Sequence, residues 1–570
     1  MLSGSAAFGL QRPVERRPNV VLIITDDQGY GDLGFHGNSK IRTPHLDAFA
    51  RQSVRFRSFY VLPVCAPTRA SLMTGRYYYR TGVTDTYIGR AMMHGDEVTL
   101  AEMLVMAGYS TGIFGKWHLG DNFPMRPIDQ GFQEALVHRG GGIGQPADPP
   151  GNDYFDPALQ HNGKEVKTQG YCSDVFTDAA IHFIEENKNR PFFAYLAYNA
   201  PHTPLRVPER YRALYEHSTF SRSEFASVGH PLPSEPDAET TARVYGMATN
   251  IDDNVGRLLG RLKELGLFDD TVVLFLTDNG PQQVRYNAGM LERKGSVHEG
   301  GIRVPLFVRW PGKLKPGLEV PEFAAVIDIA PTILEICGAP RTAGVRFDGT
   351  SVLPLLQGRF DGWPDRTLFV QWHRGDIPEL LRAFAVRSRQ YKLVQSLGAG
   401  EQRPPDRAPL RLYDMIRDPL EQYDIASDHP ETVRQMREAY EAWFRDVAGT
   451  RGFAPPRIQL GAPQENPAVL TRQDWRGPRA GFGENNLGYW DVHVTRPGRY
   501  DVTLRFAPAA PRAVARFSVQ DAVGERQLAP KATDCTFRSV RLAKGDGRLE
   551  ASIAHGDKTV GVHYVEVARR

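Results

Sequence analysis

The residues best equipped for chemistry stand in short, widely separated strings. In Val64-Cys65-Ala66-Pro67-Thr68-Arg69-Ala70-Ser71-Leu72-Met73-Thr74-Gly75-Arg76, a cysteine enters an apolar segment that reads as a helix. Pro67 fits the first helical turn, where its missing N–H costs nothing. The free N–H groups and positive end of that helix favour an anion beside Cys65, and Arg69 adds a fork of donors on the same side. A lone cysteine at a helix start is more often a small buried apolar group. Asp26 and Asp27 directly follow the apolar run Asn19 to Thr25, and Asp278 and Asn279 follow the similar run Thr271 to Thr277. Carboxylates at the end of a buried strand are costly unless something positive compensates them. A polar turn capping the next helix is the plainer reading. Together Asp26, Asp27, Asp278 and Asn279 form an all-oxygen set that suits Ca²⁺, or alternatively Mg²⁺, rather than zinc or copper. Lys116 and His118, two apart, point to one side of an extended backbone. His202 is held between Pro201 and Pro204, and Lys294 offers a second cationic anchor. Three cations and a divalent ion exceed what a neutral substrate needs. They fit a tetrahedral anionic ester whose oxygens gain charge on transfer. The residue types describe a metal-assisted hydrolase of a tetrahedral anion.

The string around Cys65 resembles the signature of the type I sulfatases, formylglycine-dependent arylsulfatase-like enzymes of the alkaline phosphatase superfamily. It matches through Cys65, Pro67, Thr68, Arg69, Leu72, Thr74 and Gly75. Gly115-Lys116-Trp117-His118-Leu119-Gly120 and the His-x-Pro at His202 resemble further family blocks, as do Asp348 to Leu356 and Leu412 to Glu421. Thr43 to Ala50 is similar to a structural segment of the family. The resemblance covers roughly residues 17 to 450. It implies that a maturation enzyme oxidises Cys65 to formylglycine, that the hydrated aldehyde joins Asp26, Asp27, Asp278 and Asn279 around the metal, and that it attacks the sulfur of a sulfate monoester. By the same resemblance His118 takes a proton so that sulfate is released. Lys116 and Arg69 orient position 65, Lys116, His202 and Lys294 bind the sulfate, and Asp278 is the candidate acid for the leaving oxygen.

Elements must deliver these groups to one place. The continuous apolar runs at Asn19 to Thr25, Pro191 to Tyr198 and Thr271 to Thr277 predict buried strands, and Tyr109 to Phe114 a short strand. Helices are expected at Thr99 to Ala107, Ser173 to Asn187 and Thr240 to Leu265. The expected fold is α/β, with a mostly parallel central sheet flanked by helices, since such sheets bind ligands at the carboxyl ends of their strands. Residues 139 to 170 read as a long irregular excursion forming part of the substrate wall, and 219 to 238 as a polar insert that also shapes selectivity. The glycines of Glu299 to Pro305 are expected to allow tight backbone near a ligand. From about Thr367, short strand candidates (Leu368 to Gln371, Ala383 to Arg387, Tyr391 to Gln395) suggest a smaller antiparallel sheet, closed by a helix from Glu431 to Asp446. After a proline-rich linker, Gly452 to Pro467, alternating runs predict an all-β sandwich. The expected domains are 17–365 (catalytic), 366–450 (antiparallel sheet and terminal helix) and 468–570 (accessory sandwich). The last unit is expected to be separable from the chemistry, with Trp475 and Trp490 serving its core rather than stacking on sugars.

The 570 residues exceed one ordinary core. A formal net charge of +3, with no basic block interleaved with aromatics, gives no sign of a nucleic-acid partner. No run of eighteen apolar residues suggests a transmembrane segment. Four widely spaced cysteines, with no Cys-x-x-Cys pair, indicate neither a disulfide framework nor a zinc knuckle. Met1 to Asn19 holds no sustained apolar segment, so no signal peptide is read there; the location is cytoplasmic, or periplasmic or secreted if a leader has been removed. The expected substrate is a sulfated small molecule or glycan, and the residues leave the leaving alcohol and the oligomeric state open. Two other readings stand: a phosphonate or phosphate ester hydrolase of the same superfamily, and an inactive glycan-binding protein.

Overall fold

The computed structural model describes residues 17–225, 228–400, 402–405 and 408–570. The stretch up to Arg16, on which most of the signal-peptide reading rests, lies outside them. Asn19–Thr25 is a strand with all seven residues buried. Its alternate side chains face opposite ways, as strand geometry dictates. Val20, Leu22 and Ile24 enter one apolar core, and Val21 and Ile23 enter another on the far face. A strand covered on both sides has no polar face, which is why its sequence runs apolar without alternation.

This strand pairs in parallel with Phe192–Ala197 on one side and Thr271–Thr277 on the other. Ser110–Lys116 and Glu134–His138 extend the parallel array. Ten strands form the sheet. Outside the parallel centre, Leu306–Arg309 lies antiparallel beside Thr271–Thr277. At the other edge the hairpin Ala158–His161 and Lys164–Lys167 is added antiparallel. The 139–170 stretch is therefore not irregular throughout, since a hairpin satisfies its backbone at the sheet edge.

Helices Cys172–Asn187 and Ala238–Glu264 cover one face, and Cys65–Thr74, Leu100–Met106 and Ile329–Ile336 the other. Leu368–Gln371, Phe384–Arg387, Tyr391–Gln395 and Arg411–Asp414 form an antiparallel sheet, the last strand lying in the stretch that the sequence marks only as a family block. Helix Pro430–Gly449 packs on it, with Tyr440 stacked on Phe384 at 3.9 Å.

The C-terminal strands make two sheets, of six and four strands. Ile458–Leu460, inside the stretch read as a linker, is one of them and pairs with Tyr489–Val494. Trp475 and Trp490 are wholly buried between the sheets. The same apolar cluster takes in Ile88, Met92 and Met125 from the catalytic part of the chain, so this core is shared and not self-contained. All four cysteines are free and buried. Among the described residues no helix is long and apolar enough to cross a membrane.

Candidate active site

The parallel strands deliver their chemistry at their carboxyl ends. Asp26 leaves Asn19–Thr25 and its N–H donates to the Ala200 carbonyl at 3.2 Å; the Asp278 N–H donates to the Thr25 carbonyl at 3.1 Å. These bonds bring residues some 250 positions apart side by side. Lys116 ends the strand Ser110–Lys116. Gly115, just before it, has φ +116°, and a Cβ there would stand 1.9 Å from the Ala197 carbonyl oxygen. Only glycine lets that neighbour approach.

Helix Cys65–Thr74 starts from Val64 in extended conformation and ends at Gly75 in the left-handed one, with every residue buried. Its buried Arg69 donates to Asp278 Oδ2 and to the Lys116 carbonyl. Asp26 Oδ2 accepts from Lys116 Nζ. Asp27 Oδ1 accepts from Asn279 Nδ2 at 2.8 Å and lies 2.5 Å from Lys294 Nζ, while Asp27 Oδ2 lies 3.7 Å from His202 Nε2. Cys65 Sγ and carboxylate oxygens of Asp26 and Asp278 lie within 4.8 Å of one another, as do ligand atoms of Asp26, Asp27 and His202. His118 shares a cavity of about 420 Å³ with Cys65, His202 and Lys294. All ten singled-out residues thus gather at one place.

Three oxygens in this buried cluster have no hydrogen-bond partner: Asp26 Oδ1, Asp27 Oδ2 and Asn279 Oδ1. Buried polar atoms are normally satisfied, so three orphaned acceptors on two adjacent strand ends fit a hard cation with oxygen ligands. The electrostatics agree. Burial foremost, and then the Asp26 charge, push Asp278 up to about 7 against the pull of Arg69 and Lys116. A divalent ion would relieve that repulsion. Burial would also raise Asp26, but Lys116, His202, Arg69 and Lys294 outweigh it and hold the carboxyl well below the usual range. The Cys65 thiol is pushed up by burial despite Lys116 and Lys294, so as a thiol it is not an activated nucleophile.

His118 departs from the expected extended backbone: its φ is +61°. The side chain is therefore aimed by a left-handed turn and not by the strand's alternation. Its Nε2 lies 2.7 Å from the Thr86 carbonyl. A carbonyl only accepts, so Nε2 carries the proton and Nδ1 holds the lone pair. Nδ1 is buried and unpartnered. Burial, with Lys116 adding repulsion, drives the ring well below its ordinary pKa, so it is neutral and able to take a proton. His202 is lowered too, by burial first and then Lys294 and Lys116, against the pull of Asp26 and Asp27; its Nδ1 faces the Thr203 carbonyl at 2.7 Å.

Arg285 and Asp32 had no local signal in the chain. Both are buried; Arg285 binds Asp32 Oδ2 and the Asp27 carbonyl, each at 2.7 Å, bracing the turn that holds the acidic pair. Gly300 and Gly301 serve backbone packing, not a ligand: a Cβ on Gly300 would meet the Glu292 carbonyl oxygen at 2.1 Å, and one on Gly301 the Ser296 carbonyl oxygen at 2.1 Å. Gly141 and Gln145 from the 139–170 stretch line the cavity, whereas no described residue of 219–238 does. That insert is tied elsewhere, with the His230 N–H donating to Gly289 O and His230 Nε2 facing Leu420 O. The rim also includes Tyr87, Trp372, Arg374 and, from the C-terminal sandwich, Phe482.

The sulfatase family model matches residues 18–339, more than half of the chain. The chain belongs to the sulfatase family. A second model, N-sulphoglucosamine sulphohydrolase, C-terminal, matches residues 289–443. Human arylsulfatase A is 32% identical over 528 residues, covering 82% of this chain and 94% of that protein. Human N-acetylgalactosamine-6-sulfatase is 32% identical, covering 65% and 70%. The crystal structure of Ps i-CgsB in complex with k-i-k-neocarrahexaose superposes with a TM-score of 0.66 at 29% identity, covering 77% of this chain and 95% of that one. This sulfatase is a sulfuric ester hydrolase.

Proposed function

We propose that the chain hydrolyses aryl or carbohydrate sulfate monoesters at a formylglycine derived from Cys65, beside a Ca²⁺ ion held by Asp26, Asp27, Asp278 and Asn279. The observation that carries this reading is the group of three orphaned oxygens in a cluster whose Asp26 also lies within 4.8 Å of a buried, unactivated thiol at a helix N-terminus. A hydrated aldehyde at position 65 would supply the nucleophilic oxygen, and the cation would lower that oxygen's pKa and offset charge developing on the ester. The protein's own side chains do the rest. Lys116, on Asp26, and Lys294, on Asp27, present their amines to the sulfate oxygens, with His202 as a further contact. His118 Nδ1 accepts the proton that must leave position 65 when sulfate departs. Arg69 holds Asp278 and the Lys116 backbone in register.

All ten residues of the Cys65 helix are buried, so a maturation enzyme reading Cys65, Pro67 and Arg69 would have to act before the helix packs. The named specificities of arylsulfatase A and the neocarrahexaose complex support both leaving-group classes. The test is a release assay across aryl sulfates, sulfated mono- and oligosaccharides and aryl phosphates. Sulfate release that stops on chelation is expected; faster turnover of the phosphates would replace this reading with the phosphoesterase one.

A further inference from the structure

Residues 472–488, between the sandwich strands Ala468–Thr471 and Tyr489–Val494, do not stay within the sandwich. Gln473 is 3% exposed and its Nε2 donates to the Thr86 carbonyl at 2.8 Å. This is the same carbonyl that accepts from His118 Nε2 at 2.7 Å, and the two nitrogens stand 3.4 Å apart. A carbonyl oxygen has two lone pairs, and here each is used. The carbonyl that fixes the His118 tautomer is thus itself fixed by a residue 387 positions away. The turn is held at a second point, where the Gly89 N–H donates to the Gln473 carbonyl at 2.9 Å and Arg476 Nη1 to the Gly89 carbonyl at 3.2 Å.

Nine residues on, Phe482 meets Tyr87 edge to face at 5.4 Å and lines the cavity over Cys65. Arg374 lies over Tyr87 at 4.8 Å and over Trp372 at 5.0 Å, and both rings line the cavity with Phe482. The bend is firmly anchored. Arg472 donates to the Gly483, Gly561 and Val562 carbonyls at 2.7, 2.9 and 2.9 Å, and its guanidinium lies over the buried Trp475 ring. An anchored bend that reaches both the base and the mouth of the cavity is more than packing.

We infer that this bend is a part of the active site: Gln473 is a positioning residue for His118, and Phe482 is a specificity wall for leaving groups that present a flat ring face. The inference rests on the sulfate-ester reading and deepens it, because the chemistry of the wall favours a ring, whether arene or pyranose, over an open-chain alcohol.

The test uses full-length protein. Gln473→Ala should lower kcat on the order of tenfold on every substrate, with KM little changed, and move the acid limb of the kcat–pH profile. Phe482→Ala should raise KM about fivefold for ring-bearing sulfates but not for a short alkyl sulfate, and the aryl and pyranose sulfates, assayed separately, show which ring the wall serves. Histidine ¹⁵N spectra give a readout independent of turnover: His118 should be the Nε2–H tautomer in the wild type and mixed in Gln473→Ala. An unchanged tautomer and acid limb in Gln473→Ala would overturn its positioning role. A KM shift in Phe482→Ala that is equal for ring and alkyl sulfates would overturn the wall. If wild-type protein turned over none of the sulfates, the sulfate-ester reading would fail, and the ¹⁵N tautomer would still decide the Gln473 assignment.

Discussion

Arg69 grips Asp278 Oδ2 through two nitrogens, Nη2 at 2.8 Å and Nε at 3.2 Å, with both side chains essentially inaccessible to solvent. Its third contact, Nη1 to the Lys116 carbonyl at 3.0 Å, ties that carboxylate to the strand that carries Lys116. A planar fork makes three such contacts at once, and the single ammonium of lysine does not. Arg69→Lys should therefore fold but lose on the order of a hundredfold in kcat/KM, because the reacting groups are displaced rather than removed. Arg69→Ala should cost about 3–5 kcal/mol of stability, since it strands a buried carboxylate. Equal stability of Arg69→Ala and wild type in urea denaturation would show that the pair is not structural.

The acidic cluster predicts a stability response to divalent ions. Asp26, Asp27 and Asp278 are packed together with three oxygens unpartnered in the cluster, and repulsion from Asp26 contributes to the raised Asp278. An ion bound only by the folded state should stabilise by about 2.7 kcal/mol at a hundredfold excess over Kd. The melting temperature should fall on chelation and recover with Ca²⁺ or Mg²⁺. In Asp278→Asn one like charge is gone, so both the response to the ion and the fall on chelation should shrink. A wild-type melting curve indifferent to chelation, with the metal content checked by elemental analysis, would remove the ion from the site.

Cys65 makes a cleaner separation of fold from chemistry. Its side chain is small, 2% exposed and pushed up by burial. Cys65→Ala should cost about 1 kcal/mol or less of stability while abolishing turnover. Mass spectrometry of the peptide spanning Cys65 in active protein should show sulfur replaced by a carbonyl oxygen. Activity that tracks the unmodified thiol instead would sink the formylglycine reading.

How much of this was legible follows from what burial demands locally. Asn19–Thr25 and Thr271–Thr277 read as strands because a strand covered on both faces admits no polar residue, while the carboxylates at their ends are legible locally either as a polar turn or as ion ligands. The antiparallel direction of Leu306–Arg309 was not legible, since four residues carry no directional signal. Ile458–Leu460 was hidden in proline-rich texture because three residues are too few for a period, and its partner, Tyr489–Val494, lies some thirty positions on. The left-handed turn at His118 is invisible in a non-glycine residue. Gln473 and Phe482 were beyond any local rule. Their part in the cavity arises from docking two units whose apolar surfaces, Ile88, Met92 and Met125 against the sandwich, merge into one core. The linker texture of Gly452 to Pro467 gave no hint of that shared core.

His138 gives a pH dependence of known sign. The side chain is 1% exposed; Nδ1 donates to the Arg139 carbonyl at 2.9 Å and Nε2 is buried without a partner. Burial first, then Lys116 and Arg69, bring its pKa from 6.5 to about 3, against the pull of the Arg139 carbonyl and Asp26. The unfolded chain binds a proton near 6.5 and the folded chain does not. Stability from this group is therefore fully present above pH 6.5 and is lost as pH falls toward about 3, with a slope of up to about 1.4 kcal/mol per pH unit. His138→Gln keeps a donor for the Arg139 carbonyl and cannot titrate. Urea midpoints measured at neutral pH and through the acid window should fall less steeply in the variant, by up to the slope of one proton. Parallel curves for the two proteins would mean that His138 gains its proton in the folded state as readily as in the unfolded one, which would require water or a carboxylate to reach Nε2.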